Sequence, residues 1–132
     1  MKMKYTYLSS NGKMWVSPFC RIIDEEKYNI NYLKYLAEST YLHDTISSMD
    51  RKLSEVKKVE DDEIECYETG TELFDINVYK DRVEFFDFES DNEYPDWSCT
   101  LEEYKRVLLG KRAFLMLPKE KESYLEIKIN DL

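Results

Sequence analysis

The spacing of apolar residues changes near residue 63, and this change constrains the fold more than any other feature of the chain. Between Asn31 and Val59 apolar side chains recur in steps of three and four, which predicts an amphipathic helix with a break near Ser39-Thr40. In segments 64–66, 74–79 and 82–88 they alternate with polar residues, which is typical of strands with one buried face. The two periods occupy separate blocks, and this separation indicates an α+β fold.

The block with the two-residue period contains the clearest hairpin in the sequence. Segments 74–79 and 82–88 alternate apolar and polar side chains and are separated by two turn-forming residues. A shorter alternation at 64–66 comes before them. Near the N-terminus, segments 4–8 and 14–16 flank a turn that contains glycine, so we expect a second hairpin there.

A second helix is predicted to begin after Thr100. The Thr100 hydroxyl and the Glu103 carboxylate are spaced for a reciprocal capping box, and acidic residues suit the positive end of a helix. Gly110 is a weak point within this helix and Pro118 stops it. Segment 124–129 alternates again and predicts a closing strand. The predicted buried stripe of the helix consists of Leu101, Tyr104, Val107, Leu108 and Leu115.

These elements, in the approximate order β(β)αβββαβ, predict one α+β domain over residues 1–132. We expect a largely antiparallel sheet with two main helices packed on one face. A chain of 132 residues buries about two-thirds of its unfolded surface, so it needs no disulfide or metal to hold a core.

Charge is distributed very unevenly along the chain. With 28 acidic and 19 basic side chains the net charge is −9. Residues 1–58 carry +3, residues 59–103 carry −15 and residues 104–132 carry +3. The acidic block disfavours nucleic acid and anionic membrane as partners and favours a basic one.

The cysteines and the N-terminus indicate a cytoplasmic protein. Cys20, Cys66 and Cys99 are odd in number and form no CxxC pair, which is typical of free thiols in a reducing compartment. The N-terminus has no apolar signal segment, and no stretch of the sequence approaches the length of a membrane span. We therefore predict no membrane association.

The sequence contains little that resembles catalytic machinery. His43 is the only histidine and lies next to Asp44 in the predicted long helix, where adjacent side chains do not face each other. No local signature marks a cysteine or serine as a nucleophile. The only three glycines are far apart, which excludes a phosphate-binding loop or a dinucleotide fingerprint. We predict a protein that is not an enzyme and binds no cofactor.

A metal site made of carboxylates is also disfavoured. Asp91, Glu93 and Asp96 resemble alternating calcium ligands, but the loop lacks glycine at its sixth position and Glu102 falls at the wrong offset for the bidentate ligand. The four consecutive acids at 60–63 point in different directions on a turn. We expect them to end the first helix in solvent.

The acidic, aromatic tract 89–98 is the best functional candidate. Its proline and Asn/Asp residues and its lack of periodicity predict a loop. Carboxylates there are interleaved with aromatic side chains, and such surfaces steer cationic partners and supply binding hot spots. In the alternative interpretation the loop is merely solvated and Trp97 packs in the core. The predicted contacts are Asp87, Glu89, Asp91, Glu93, Tyr94, Asp96 and Trp97, with Glu60, Asp61, Asp62 and Glu63 as a second patch.

The run Tyr94-Pro95-Asp96-Trp97-Ser98 leads into the capped helix 100–104 and sits in a small acidic α+β chain. In these features the chain resembles bacterial immunity proteins of contact-dependent growth inhibition and related polymorphic toxin systems. The resemblance covers mainly the last third of the sequence. It implies a cytosolic, noncatalytic antidote that binds and occludes a cognate toxin, often a basic nuclease.

Two other classes of function remain open at this stage. One is a small carboxylate-dependent hydrolase, with or without a metal ion, which would need acidic side chains converging in a pocket. The other is a structural protein that forms homo-oligomers through the long helix.

Overall fold

The computed structural model confirms the α+β class. It describes residues 1–9, 16–23, 30–41, 43–120 and 122–130. In chain order the regular elements are β1 (Lys2–Ser9), β2 (Val16–Ile22), a π-helical segment (Tyr32–Ala37), α1 (Ile46–Glu60), β3 (Tyr67–Gly70), β4 (Phe74–Val78), β5 (Val83–Asp87), β6 (Trp97–Cys99), α2 (Leu101–Leu115) and β7 (Tyr124–Lys128). The strands are antiparallel, and they divide between two sheets rather than forming one.

The first sheet has the strand order β2-β1-β7. Strands β1 and β2 pair as the predicted N-terminal hairpin, with Ser9 opposite Val16. The predicted turn between them, at residues 10–15, lies outside the described residues. Strand β7 pairs with the other edge of β1, with Tyr5 opposite Leu125. The first strand therefore lies at the centre of this sheet.

The second sheet has the strand order β3-β4-β5-β6. The predicted hairpin is confirmed as β4 and β5, which close at Val78 opposite Val83. The alternation at 64–66 lies before β3 rather than within it. The predicted loop 89–98 is shorter than expected, because Trp97 and Ser98 belong to β6, in which Trp97 pairs with Phe85.

The predicted break in the first helix is confirmed. The π-helical segment ends in turns at residues 38–41, where the Ser39 hydroxyl donates to the Leu36 carbonyl at 2.7 Å. Thr45 then caps α1 by accepting from the Ser48 N–H at 3.0 Å. A serine hydroxyl that bonds a carbonyl three or four residues back weakens and often bends a helix, which is consistent with the break at this polar position.

Helix α2 begins with the predicted capping box. The Glu103 N–H donates to the Thr100 hydroxyl at 3.1 Å, and the Thr100 N–H donates to the Glu103 carboxylate at 2.9 Å. Gly110 lets the helix approach β7 closely, since a Cβ there would lie 2.6 Å from Cδ1 of Ile127. The five residues of the predicted stripe are all buried.

A single core joins the two sheets. Helix α2 packs on β7 and α1 packs on α2, so the apolar face of α1 that a coiled coil would use is occupied within the chain. The Tyr5 hydroxyl donates to the Val107 carbonyl at 3.1 Å, and the Tyr7 and Phe114 rings lie 4.3 Å apart. The buried sides of both sheets face this core. None of the helices in the described part of the chain is long and apolar enough to cross a membrane.

Candidate interaction surface

The outward faces of the two sheets carry opposite charges. Along each strand the side chains alternate between core and solvent, so the outward positions follow from the register. On the first sheet the outward charged residues are Lys2, Lys4, Arg21 and Lys128, with the single acid Glu126. On the second they are Glu68, Asp75 and Glu84. The acidic block of the sequence thus becomes one face and one end of the second sheet.

The acidic face contains a shallow depression. Glu68, Asp75, Asn77 and Phe86 are among the residues that line it, and its volume is about 400 Å³. Neither Glu68 nor Asp75 forms an ion pair with any residue that the structure describes. This face therefore keeps its negative charge.

A second depression of about 360 Å³, which we call the Leu73–Phe88 slot, lies where β4 begins and β5 ends. Its walls include two large apolar side chains that are unusually exposed, Leu73 at 62% and Phe88 at 56%. Contiguous exposed apolar surface is a mark of interaction sites. Neither residue was predicted from sequence, although strict alternation with buried Phe85 places Phe86 and Phe88 on the outward side.

Asp87 lines the slot and connects the segments around it through its carboxylate. Its carboxylate pairs with Lys34 at 3.1 Å and accepts from the Glu89 N–H at 3.0 Å and the Tyr35 hydroxyl at 3.4 Å. The Glu89 N–H and the Lys34 ammonium hold the pKa of Asp87 below its usual range. Asp87 was predicted as a partner contact, and the structure places it in internal hydrogen bonds.

Asp96 also forms internal hydrogen bonds, and these hold the loop that follows β5. It accepts from the Asp87 N–H at 2.7 Å and from the Asn92 side chain at 3.3 Å. The Asp87 N–H is the main reason that the pKa of Asp96 is lowered. These bonds tie the two ends of the acidic loop to the same strand end.

We expect Asp96→Ala to lower the free energy of unfolding by about 1–2 kcal/mol, because a half-buried backbone N–H loses a charged acceptor. The exposed Asp91→Ala is the matched control and should change it by less than about 0.5 kcal/mol. Urea unfolding at pH 7 measures both. Equal losses for the two variants would contradict the internal role of Asp96.

Trp97 lies in a cluster of aromatic rings under the sheet. Its ring centroid is 4.8 Å from Tyr32, 5.3 Å from Phe85 and 5.9 Å from Tyr35, stacked nearly parallel with the last. The side chain is half-buried. The alternative interpretation, in which this tryptophan packs in the core, describes its position better than a surface anchor does.

The remaining loop residues face solvent. Glu89, Asp91 and Glu93 are exposed and form no ion pair within the described residues, and Tyr94 is 74% exposed. Glu72, which precedes Leu73, is also exposed and forms no ion pair with the described residues. One end of the second sheet therefore presents exposed apolar side chains together with four carboxylates that have no counter-ion among the residues the structure describes.

The second predicted patch, residues 60–63, is largely neutralised. The ion pairs are Glu60 with Lys105 at 2.8 Å, Asp61 with Lys57 at 3.2 Å and Asp62 with Lys80 at 2.9 Å. Asp62 adopts the left-handed conformation, with φ of 60°, at the end of α1. Glu63 is exposed. This turn ends the helix, as predicted, and offers less net charge than the loop.

Comparison with known proteins identifies no match to this chain. No family model matches the chain, and no curated protein or solved structure matches it.

The catalytic candidates lie apart from this surface. His43 precedes α1 rather than lying within the helix, and burial followed by the charges of Lys52 and Lys111 lowers its pKa. Its neighbour Asp44 accepts from Lys111 at 2.7 Å. Burial raises the pKa of Cys20 to about 12, which suppresses its thiolate. Among the described residues no group of three or more His, Cys, Asp or Glu side chains is placed to hold a metal ion.

Proposed function

We propose that this chain is a noncatalytic binding protein that docks a basic protein domain, and that the partner is a cognate toxin of the nuclease type, neutralised in the cytosol. One observation carries the proposal: the loops at one end of the second sheet carry exposed apolar side chains together with four carboxylates that form no ion pair within the described residues. The carboxylates are Glu72, Glu89, Asp91 and Glu93, and the apolar side chains are Leu73, Phe88 and Tyr94. The toxin class follows from the resemblance to immunity proteins.

This composition supports a protein partner rather than a small molecule. Interface hot spots combine aromatic anchors with surrounding groups that exclude water, and exposed Phe88 and Tyr94 supply such anchors. The flanking carboxylates raise the rate of encounter with a cation and disfavour acidic competitors. The site is also ordered by the protein itself, since Asp87 and Asp96 hold both ends of the loop. Little conformational entropy is then lost on docking.

The opposite charge of the first sheet supports an orienting role for the electrostatic field. A basic partner is repelled by the side that carries Lys2, Lys4 and Arg21, and it is attracted to the acidic end. Fields of this kind increase association rates by factors of about 10 to 1000. Carboxylates arranged this way also occupy positions that the Arg and Lys residues of a nuclease offer to phosphates.

The test co-expresses the chain with the protein encoded immediately upstream of it in the source organism. We expect the wild-type chain to relieve growth arrest caused by that protein. The variant Glu72→Gln/Glu89→Gln/Asp91→Asn/Glu93→Gln should associate with the purified toxin domain about tenfold more slowly at low ionic strength, with a flatter salt dependence. Stopped-flow or surface-binding kinetics at several salt concentrations measure the change.

The matched control changes two charges on the opposite face, Lys2→Gln/Arg21→Gln, and should leave association as fast as in the wild type or slightly faster. If the fourfold variant associates at the wild-type rate, this surface is not the docking site. If the upstream protein neither arrests growth nor binds the chain, the toxin-neutralising function is wrong.

A further inference from the structure

We propose that the Leu73–Phe88 slot receives one arginine side chain of the partner protein. The inference deepens the proposed function and rests on it for the existence of a partner. The affinity of the slot for an arginine side chain, however, is a property of this chain alone and can be measured without any partner.

The walls of the slot are held in place before anything binds. The Leu73 N–H donates to the Thr71 hydroxyl at 3.1 Å, and the Leu73 carbonyl accepts from the Phe88 N–H at 3.1 Å. The Thr71 N–H donates in turn to the Phe74 carbonyl at 2.9 Å. Because the backbone N–H and the carbonyl of Leu73 are both hydrogen-bonded, the exposure of the Leu73 side chain is a fixed feature of the fold. The slot is therefore a preformed apolar cleft.

The charge at the slot calls for one cationic occupant. Lys34 and Asp87, which both line the slot, neutralise each other, and the other bonds of Asp87 leave it little capacity for a further donor. Glu72 and Glu89 remain at the rim, and neither is in an ion pair with the part of the chain that the structure describes. An apolar occupant would cover these carboxylates without pairing them, which is unfavourable.

Arginine satisfies the apolar walls and the acidic rim together. Its three-carbon stem can lie on Leu73, since long cationic side chains bury their stems and keep the head in water. Its planar guanidinium stacks on an aromatic face such as that of Phe88, while the forked N–H donors reach carboxylates at the edge. Lysine has a compact, strongly hydrated ammonium, which lacks both the flat face and the planar fork of donors of a guanidinium. The slot should therefore discriminate between the two cations.

The experiment titrates the isotope-labelled full chain with N-acetyl-arginine methylamide and follows the Leu73 methyl and Phe88 ring signals by NMR. We expect saturable shifts at those signals with a dissociation constant in the millimolar range, the strength accessible to so small a ligand. The uncharged citrulline counterpart has the same shape and should bind at least tenfold more weakly. The lysine counterpart should bind several-fold more weakly.

Variants locate the site. Phe88→Leu and Glu72→Gln/Glu89→Gln should each weaken arginine binding at least threefold. Asp91→Asn/Glu93→Gln removes the same charge outside the slot and should retain most of the affinity. Equal binding of citrulline, shifts confined to another surface, or no saturable shift would each overturn the proposal. If the toxin domain binds but the arginine derivative does not, the slot inference fails and the proposed function stands. If the arginine derivative binds but no toxin domain does, the slot inference stands and the proposed function fails.

Discussion

Replacing Trp97 by alanine is expected to lower the free energy of unfolding by about 3 kcal/mol, whereas Tyr94→Ala should change it by less than about 0.5 kcal/mol. The reason is position: Trp97 contacts three rings beneath the second sheet, and Tyr94 is 74% exposed. Both were predicted as aromatic anchors of one surface. The two variants therefore distinguish an aromatic residue that packs beneath the surface and stabilises it from one that is exposed on the surface and available to a partner.

Urea unfolding with far-UV circular dichroism measures this difference for the two variants under identical conditions. Partner binding should show the reverse order at a temperature where both variants are folded, with Tyr94→Ala losing affinity directly. Trp97→Phe provides the matched control, because it keeps a ring against Tyr35 and Phe85 and should recover much of the lost stability. A Trp97→Ala protein as stable as the wild type would contradict its placement in the core.

Local patterns in the sequence predicted most of the elements and few of the long-range pairings. The period of apolar residues located α1, the hairpin β4–β5 and β7, and the capping box located the start of α2 to the residue. Alternation does not say which strand lies beside which. Strand β7 joins the sheet of β1, more than 100 residues earlier in sequence, and this pairing divides the strands into two sheets. That partition depends on tertiary packing, not on local propensity.

The candidate surface was predicted in charge but not in detail. The acidic loop lies where the sequence predicted it, except that Trp97 and Ser98 belong to β6. Asp87 and Trp97 serve internal contacts with Lys34 and Tyr35 in a distant segment, and Asp96 accepts from the Asp87 N–H. The exposed Leu73 and Phe88 were missed because a hydrophobic residue in or beside a strand is normally assigned to the core.

Replacing Lys52 by methionine is expected to raise the free energy of unfolding by about 2 kcal/mol at pH 7, and the gain should fall below about 1 kcal/mol by pH 10. Lys52 is only 3% exposed, and its ammonium contacts the Thr69 hydroxyl at 3.0 Å with no carboxylate paired to it in the described residues. Burial, followed by the charges of Lys111 and Arg51, lowers the pKa of Lys52 to about 8. A buried cation without a counter-ion opposes folding as long as it stays protonated.

The sign of the pH dependence follows from linkage. An unfolded lysine has a pKa of about 10.4, so between about pH 8 and that value the unfolded chain holds a proton that the folded chain has released. Stability contributed by Lys52 therefore rises with pH across this window, by about 2 kcal/mol between pH 7 and pH 10. Tyrosines and thiols also titrate there, but they are common to both proteins and cancel in the difference between wild type and Lys52→Met.

Urea unfolding of both proteins at pH 7, 8, 9 and 10 in the presence of a thiol reductant measures that difference. Lys57→Met is the matched control on the same helix, since Lys57 is largely exposed and its pair with Asp61 is screened by solvent. Its effect should stay nearly constant across the series. If the difference between wild type and Lys52→Met is also constant across this pH series, Lys52 titrates like a solvated lysine. Its ammonium must then reach water beyond the edge strand β3 instead of staying buried against the Thr69 hydroxyl.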